Sequence, residues 1–145
     1  MIVTNCRRLV RRIPYAGLCL LLSAGLCVAA RQAAESGEQF IGTWTGSWAG
    51  AGSSGGFELT LEKSKDGAVT GRVSVTGEPT YKAAFKSLSF DGKKMNAKYD
   101  FPPDDAAEVV LAAAFYGNTA KGTWSLREKA NDTEAFSGTW TVERK

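Results

Sequence analysis

Histidine is absent from this chain, and its three cysteines, Cys6, Cys19 and Cys27, all lie near the N-terminus. Histidine is the usual general base near neutral pH and, with cysteine, a common ligand of transition metals. Its absence excludes Ser–His and Cys–His nucleophilic pairs and every metal site built on histidine. We therefore predict that the protein is not an enzyme and uses no cofactor or metal.

An excess of charge of one sign is also missing beyond the N-terminus. Four of the 18 basic residues and none of the 15 acidic residues precede Arg31, so 14 basic and 15 acidic residues remain from there on. A nearly neutral domain has no electrostatic reason to bind polyanions. This balance predicts neither a nucleic-acid partner nor an anionic membrane surface as partner.

The first 30 residues are typical of an export signal. A cluster of four arginines, from Arg7 to Arg12, precedes the apolar run Ala16 to Val28, and small residues follow at Ala29 and Ala30. We predict cleavage near Ala29 or Ala30 and a periplasmic or secreted location. Because all three cysteines precede this cut, the mature chain would contain no thiol or disulfide.

The predicted organisation is a signal peptide over 1–30, a linker over 31–39 and one β-domain over 40–145. After cleavage we expect no membrane attachment. An uncleaved anchor is the alternative, because the stretch from Ile13 to Ala30 is just long enough to cross a bilayer.

From residue 40 onward, apolar and polar residues alternate, and turn residues interrupt the alternation about every ten residues, which is typical of an all-β chain. We interpret Gly50 to Gly56 as a mobile hairpin loop. A bulge is expected near Lys86 or Ser87, because the apolar phase changes there. A helix from Asp104 to Phe115 is the alternative for the sixth strand. The pattern predicts eight strands: Phe40 to Trp48, Phe57 to Glu62, Val69 to Val75, Tyr81 to Phe90, Lys94 to Phe101, Ala106 to Tyr116, Ala120 to Leu126 and Phe136 to Val142.

A glycine followed two residues later by tryptophan occurs at Gly42-Thr43-Trp44, Gly122-Thr123-Trp124 and Gly138-Thr139-Trp140. Alternation places both residues of each pair on one face of a strand, and the missing side chain leaves space for an indole. Eight hairpin-linked strands with apolar inner faces are most simply closed on themselves, because closure removes sheet edges. We predict an eight-stranded antiparallel up-and-down barrel.

The motif Gly42-Thr43-Trp44 resembles the opening motif of the calycin barrels, the class of lipocalins and avidins, and the run from Asp66 to Gly71 is similar to an avidin-type hairpin. The chain is even more similar to small exported bacterial domains built from G-T-W hairpins, whose role is unassigned. The resemblance implies a barrel fold. We transfer no biotin site, because the inward positions offer almost no polar side chains.

The aromatic residues of the interior are the candidate ligand-binding site. An eight-stranded barrel either fills with side chains or holds one small ligand, and both alternatives are open here. If a pocket exists, we expect it to be apolar and lined by Trp44, Trp48, Tyr99, Phe115, Trp124 and Trp140.

The sixth predicted strand is apolar on both faces and is the candidate interface. If Val109 and Leu111 point inward, an apolar stripe points outward, available to a second copy or another partner. The alternative is that the segment from Arg31 to Glu38 covers it. The stripe consists of Val110, Ala112, Ala114 and Tyr116.

Asp104, Asp105 and Glu108 form a cluster of acidic residues, which we interpret as a solvated loop because it lacks the spacing of a calcium-binding loop.

The predicted function is that of a non-catalytic exported barrel that binds a small apolar ligand or an envelope component. The alternative is a structural or protein-interaction module that uses the outer face of the sixth strand.

Overall fold

A computed structural model describes residues 37–145. The predicted signal peptide, residues 31–36 of the predicted linker and all three cysteines lie outside the described residues. Glu38 and Gln39, at the end of the predicted linker, belong to a short 3-10 helix. The elements are the 3-10 helix Glu38–Phe40 and the strands β1 (Gly42–Gly50), β2 (Ser53–Lys63), β3 (Val69–Val75), β4 (Tyr81–Ala84), β5 (Ser87–Asp91), β6 (Lys94–Asp100), β7 (Ala107–Tyr116), β8 (Thr119–Glu128) and β9 (Glu134–Arg144).

The nine strands of the described chain form one curled antiparallel sheet, in the order β4-β3-β2-β1-β9-β8-β7-β6-β5. Except for β4 and β5, which form the two edges of the sheet, strands that follow each other in sequence lie side by side, and β1 and β9 are also neighbours. The predicted all-β, antiparallel, up-and-down arrangement is therefore confirmed. The number of strands is nine rather than eight.

The ninth strand arises because the predicted strand from Tyr81 to Phe90 is divided in two. Its first half, β4, pairs with β3, whereas its second half, β5, pairs with β6. The change of partner occurs at two residues: the Phe85 amide donates to the carbonyl of Gly71, and the Lys86 amide donates to the carbonyl of Lys98, each at 2.9 Å. The irregularity predicted near Lys86 is thus the place where the two edges of the curled sheet meet.

Three further predictions need correction. The first strand begins at Gly42 rather than Phe40, and Gly50 to Gly56 is not a loop, because only Ala51 and Gly52 separate β1 from β2. Gly55 pairs with Trp48, and a Cβ at Gly55 would lie 2.7 Å from the indole nitrogen. The small residues therefore let the ladder continue beneath an indole. The helix alternative for the segment after Asp104 is wrong, since that segment forms β7.

Apolar side chains of alternating residues face the inside of the curled sheet. In β6, for example, Met95, Ala97 and Tyr99 are each 1% exposed, whereas Lys94 and Lys98 are exposed. Fully burying one large apolar side chain contributes about 1.5–3 kcal/mol. Because this alternation runs through most strands, the interior is the main source of the fold's stability.

One end of the curled sheet is filled by aromatic rings, and we call it the sealed end. The 3-10 helix places Phe40 there, stacked on Phe115 and Phe90 with ring centres 4.3 and 5.4 Å apart. Trp44 meets Phe115 edge to face at 4.9 Å and donates its indole N–H to the Phe40 carbonyl. Arg144 belongs to the last strand, and its guanidinium lies 4.5 Å from the centre of the Trp44 ring. These contacts join the first and last elements of the described chain.

The two later glycine–tryptophan motifs pair with each other across β8 and β9. Gly122 lies opposite Trp140, and Trp124 lies opposite Gly138. A Cβ at Gly122 would be 2.8 Å from the Trp140 ring, and a Cβ at Gly138 would be 2.7 Å from the indole nitrogen of Trp124. Each glycine therefore makes room for the tryptophan of the neighbouring strand, rather than only for the one two residues away.

Candidate functional site

A cavity of about 290 Å³ lies inside the curled sheet, at the end opposite Phe40. We call this the open end; the connections β1–β2, β3–β4, β6–β7 and β8–β9 lie there. Aliphatic side chains form part of its wall, namely Val75, Val109, Leu111 and Leu126. Seven aromatic side chains form most of the rest, namely Trp48, Phe57, Tyr81, Tyr99, Phe101, Trp124 and Phe136. The cavity is therefore a mainly hydrocarbon compartment below four chain connections.

Two of the wall residues, Trp48 and Trp124, meet edge to face with ring centres 5.8 Å apart. The indole N–H of Trp48 donates to the carbonyl of Thr76 at 3.0 Å, and that of Trp124 donates to the carbonyl of Ala49 at 3.2 Å. Because the backbone already binds both polar groups, the two rings offer hydrocarbon surface to the cavity. The same bonds fix the positions of both rings.

The hydroxyl groups of Tyr81 and Tyr99 lie 2.9 Å apart and form a hydrogen bond. Burial away from water raises the pKa of both hydroxyls above the ordinary tyrosine value, and the neighbouring Tyr81 hydroxyl adds to the rise at Tyr99. Phe101 packs edge to face on Tyr81 at 5.3 Å. The tyrosine pair therefore contributes neutral oxygens to an otherwise apolar wall.

Charge is confined to the rim. Among residues 37–145, Glu78 is the charged residue that lines the cavity, and it lies in the β3–β4 connection beside Pro79. Ser53 adds a hydroxyl at the start of β2. A bound molecule would thus meet hydrocarbon inside and a carboxylate at the entrance.

The residues predicted to bind a ligand divide into two groups. Trp48, Tyr99 and Trp124 line the cavity, whereas Trp44, Phe115 and Trp140 do not. The second group is packed in the core, with exposed fractions of 2% or less. The two alternatives for the interior are therefore both present, since the sealed end is filled with side chains and the open end is not.

Five further residues line the cavity that were not predicted as site residues, namely Tyr81, Phe101, Leu126, Phe136 and Glu78. A usable signal was available. In an up-and-down sheet, alternate connections lie at the same end, so inward residues next to those connections surround one opening. The four apolar residues satisfy that condition, and Glu78 lies within a connection.

Comparison of the chain with protein-family models, with curated proteins and with solved structures finds no match.

The acidic residues that follow β6 are separated by their contacts. The Asp104 carboxylate accepts the Ala106 amide at 2.9 Å, and the Glu108 carboxylate lies 2.5 Å from the ammonium group of Lys86. In the part of the chain that is described, no group of three or more histidine, cysteine, aspartate or glutamate side chains is placed to hold a metal ion.

The one helix of residues 37–145 has three residues, too few to cross a membrane.

The outer face of β7 carries the residues of the candidate interface. Val110, Ala112 and Ala114 are partly exposed, and Tyr116 is 63% exposed. The inward neighbours Val109, Leu111 and Phe115 are buried, as the alternation predicted. The segment considered as a cover ends at Glu38, which forms an ion pair with Lys63 of β2 at 2.8 Å.

Proposed function

We propose that this protein is an exported, non-catalytic binding protein that takes a small apolar ligand into the cavity at its open end. The observation that carries the proposal is the combination of a sealed end, filled by Phe40, Phe90 and Phe115, with an empty volume of about 290 Å³ at the other end. Ligand sites are commonly found in the mouths of curled sheets of this kind.

The size of the cavity limits the ligand. Its volume of about 290 Å³ lies at the lower end of the range for small-molecule sites and equals the space of about ten liquid water molecules. A ligand of that size that loses about 250 Å² of apolar surface would gain about 6 kcal/mol. Because association also costs translational and rotational freedom, this gain sets an upper limit on the affinity, with a dissociation constant no lower than tens of micromolar.

The chemistry of the wall supports binding over catalysis. The raised pKa of Tyr81 and Tyr99 keeps both hydroxyls neutral near pH 7, so neither acts as an anionic base or nucleophile there. The indole N–H groups of Trp48 and Trp124 are used by the backbone. The wall therefore offers shape and apolar surface rather than reactive groups.

A calycin-like relationship is part of the proposal. It rests on the first-strand motif Gly42-Thr43-Trp44 together with the curled antiparallel sheet and its single open end.

Export rests on the N-terminal sequence. N-terminal sequencing of the protein recovered outside the cytoplasm tests it: we expect a first residue close to Ala30 or Arg31, and an intact Met1 in the membrane fraction would contradict cleavage.

Titration with a neutral hydrophobe tests ligand binding. We expect 4-phenylbutan-1-ol to change the fluorescence of Trp48 and Trp124 saturably, with a dissociation constant no lower than tens of micromolar. Val109→Phe adds a ring to the cavity wall and should weaken binding about tenfold or more, because it removes the space that the ligand needs.

Val110→Phe is the matched control, because the same change at the next residue lies on the outer face of β7. We expect it to bind as the unchanged protein does. The absence of any saturable change with a panel of neutral hydrophobes, or equal weakening by both variants, would contradict the proposed site.

A further inference from the structure

The only charge on the cavity wall described above belongs to the Glu78 carboxylate, at the rim of an aromatic compartment. We propose that the cavity selects organic cations: small amines, protonated at neutral pH, with an apolar, preferably aromatic, body. This inference rests on the proposed function and narrows its ligand class. The body of such a ligand would occupy the hydrocarbon wall, and its cationic group would face Glu78 near the entrance.

The first support is the sign of the charge at the wall. Within residues 37–145, no lysine or arginine lines the cavity, whereas Glu78 does. An anionic amphiphile such as a fatty acid would bring its carboxylate toward Glu78, and like charges repel. A cationic group in the same position would be attracted to the carboxylate. The wall therefore discriminates by charge in favour of cations.

The second support is the aromatic character of the wall. The electron-rich faces of tryptophan, tyrosine and phenylalanine attract cations, and tryptophan does so most strongly. Trp48 and Trp124 are fixed in position through their indole N–H groups, as are Tyr81 and Tyr99 through their shared hydrogen bond. A cation entering this compartment would exchange part of its hydration for ring faces that are already in place.

The third support is the acceptor capacity of the tyrosine pair. Each hydroxyl oxygen has two lone pairs, and the shared hydrogen bond uses one of the four. The oxygens of Tyr81 and Tyr99 therefore retain capacity to accept hydrogen bonds from an ammonium N–H group. These acceptors favour a donor-rich cation over a ligand that carries only acceptors.

The fourth support is the distribution of charge between the two ends of the sheet. The four connections at the open end contain four acidic residues and one basic residue, whereas the three hairpin connections at the sealed end contain two lysines and one aspartate. An excess of one sign around an opening raises the local concentration of oppositely charged ligands. The open-end residues are Glu78, Asp104, Asp105, Asp132 and Lys129.

A matched series of ligands with one apolar body tests the charge selectivity. The series is 4-phenylbutylamine, which is cationic at neutral pH, 4-phenylbutan-1-ol, which is neutral, and 4-phenylbutanoate, which is anionic. We expect the amine to bind about tenfold more tightly than the alcohol, and the alcohol more tightly than the acid. Calorimetry or tryptophan fluorescence at low ionic strength measures the three dissociation constants, and the preference should decrease as salt is added.

Glu78→Gln should bring the dissociation constants of the amine and the alcohol close together, because it removes the charge and keeps the shape. Glu143→Gln, at the exposed end of β9 near the sealed end, is the control and should change neither constant. Binding of the alcohol without a preference for the amine would overturn the charge selectivity and leave the proposed function intact. Failure of all three ligands to bind would instead contradict the proposed function itself.

Discussion

Trp124 and Gly138 lie opposite each other on neighbouring strands, and the Trp124 indole donates its N–H to the carbonyl of Ala49, on the strand beyond Gly138. Trp124 spans β9 in this way because glycine has no side chain in the path of the ring. The Trp124 side chain thus reaches from β8 across β9 to β1, where its hydrogen bond to Ala49 is 3.2 Å long. It also places an aromatic ring in the cavity wall.

The first prediction concerns Gly138. A Cβ at this position would lie 2.0 Å from the Ala49 oxygen and 2.7 Å from the indole nitrogen of Trp124, so Gly138→Ala forces the backbone or the ring to move. We expect a loss of about 1–3 kcal/mol in the free energy of unfolding, measured with urea, and a red shift of tryptophan emission. Ser137→Ala, on the exposed neighbouring position, is the control. Equal stability of the two variants would show that the glycine is not required for this packing.

The second prediction concerns Arg144, which holds the 3-10 helix against Trp44. Its guanidinium donates to the carbonyls of Ile41 and Gln39 at 3.0 and 2.8 Å while lying over the Trp44 ring. Arg144→Met keeps an apolar stem and removes these bonds, so we expect the free energy of unfolding to fall by roughly 1.5–3 kcal/mol.

Hydrogen exchange separates this effect from a general loss of stability. The amides of Phe40 and Ile41, which bond within the 3-10 turn, should exchange faster in Arg144→Met than the amides of β6. Lys145→Met is the control, because the Lys145 side chain is exposed and the hydrogen bond from its backbone amide to the Thr43 carbonyl does not depend on that side chain. Uniformly faster exchange would argue against a specific role in sealing this end.

The alternation of apolar residues was sufficient to predict the antiparallel sheet and the residues of β6 that face inward. In a strand buried on one face, successive side chains point to opposite faces, so a period of two identifies the buried residues. It could not predict the division of the strand from Tyr81 to Phe90. That division depends on the partners of each half, β3 and β6, which are far apart in sequence. Long-range pairing leaves little trace in local composition.

The candidate site was partly predictable for a related reason. Every tryptophan was expected inside, but Trp48 and Trp124 line the cavity and Trp44 and Trp140 do not, although Trp48 and Trp140 are cross-strand partners. Which inward ring borders open space depends on how the neighbouring rings pack, and packing depends on register, bulges and turn lengths that the pattern alone does not give. Gly55 illustrates the point, because its role appears only when it is paired with Trp48.

The third prediction tests the outer face of β7 as a contact surface. If this stripe mediates self-association, Val110→Glu should shift the sedimentation of the protein toward the monomer, because a carboxylate at the contact resists desolvation. The fold should tolerate the change, since position 110 pairs with Lys98, whose ammonium group is a favourable neighbour. Thr60→Glu, on the outer face of β2, is the control. An unchanged monomer in all three proteins would contradict the interface.

The fourth prediction concerns the Tyr81–Tyr99 pair. Either single change to phenylalanine leaves one hydroxyl without its 2.9 Å partner, whereas the double change removes both polar groups from the apolar wall. We expect each single variant to lose about 1 kcal/mol of unfolding free energy and the double variant to lose less than the sum. Additive losses in urea denaturation at neutral pH would mean that the hydroxyls do not act as a pair.

The same pair predicts the alkaline behaviour of the fold. Burial raises the folded-state pKa of Tyr81 and Tyr99 above the ordinary value of 10.0, so the unfolded chain releases these protons first as the pH rises. The stabilising contribution is complete below that value and decreases above it, toward the folded-state pKa. We expect the urea midpoint of the protein to fall as the pH rises above about 10, and to fall less in the double phenylalanine variant. Tyr116→Phe, which removes a phenol that is 63% exposed, is the control and should retain the full pH dependence. An equal fall in the double variant would mean that other groups cause the alkaline instability.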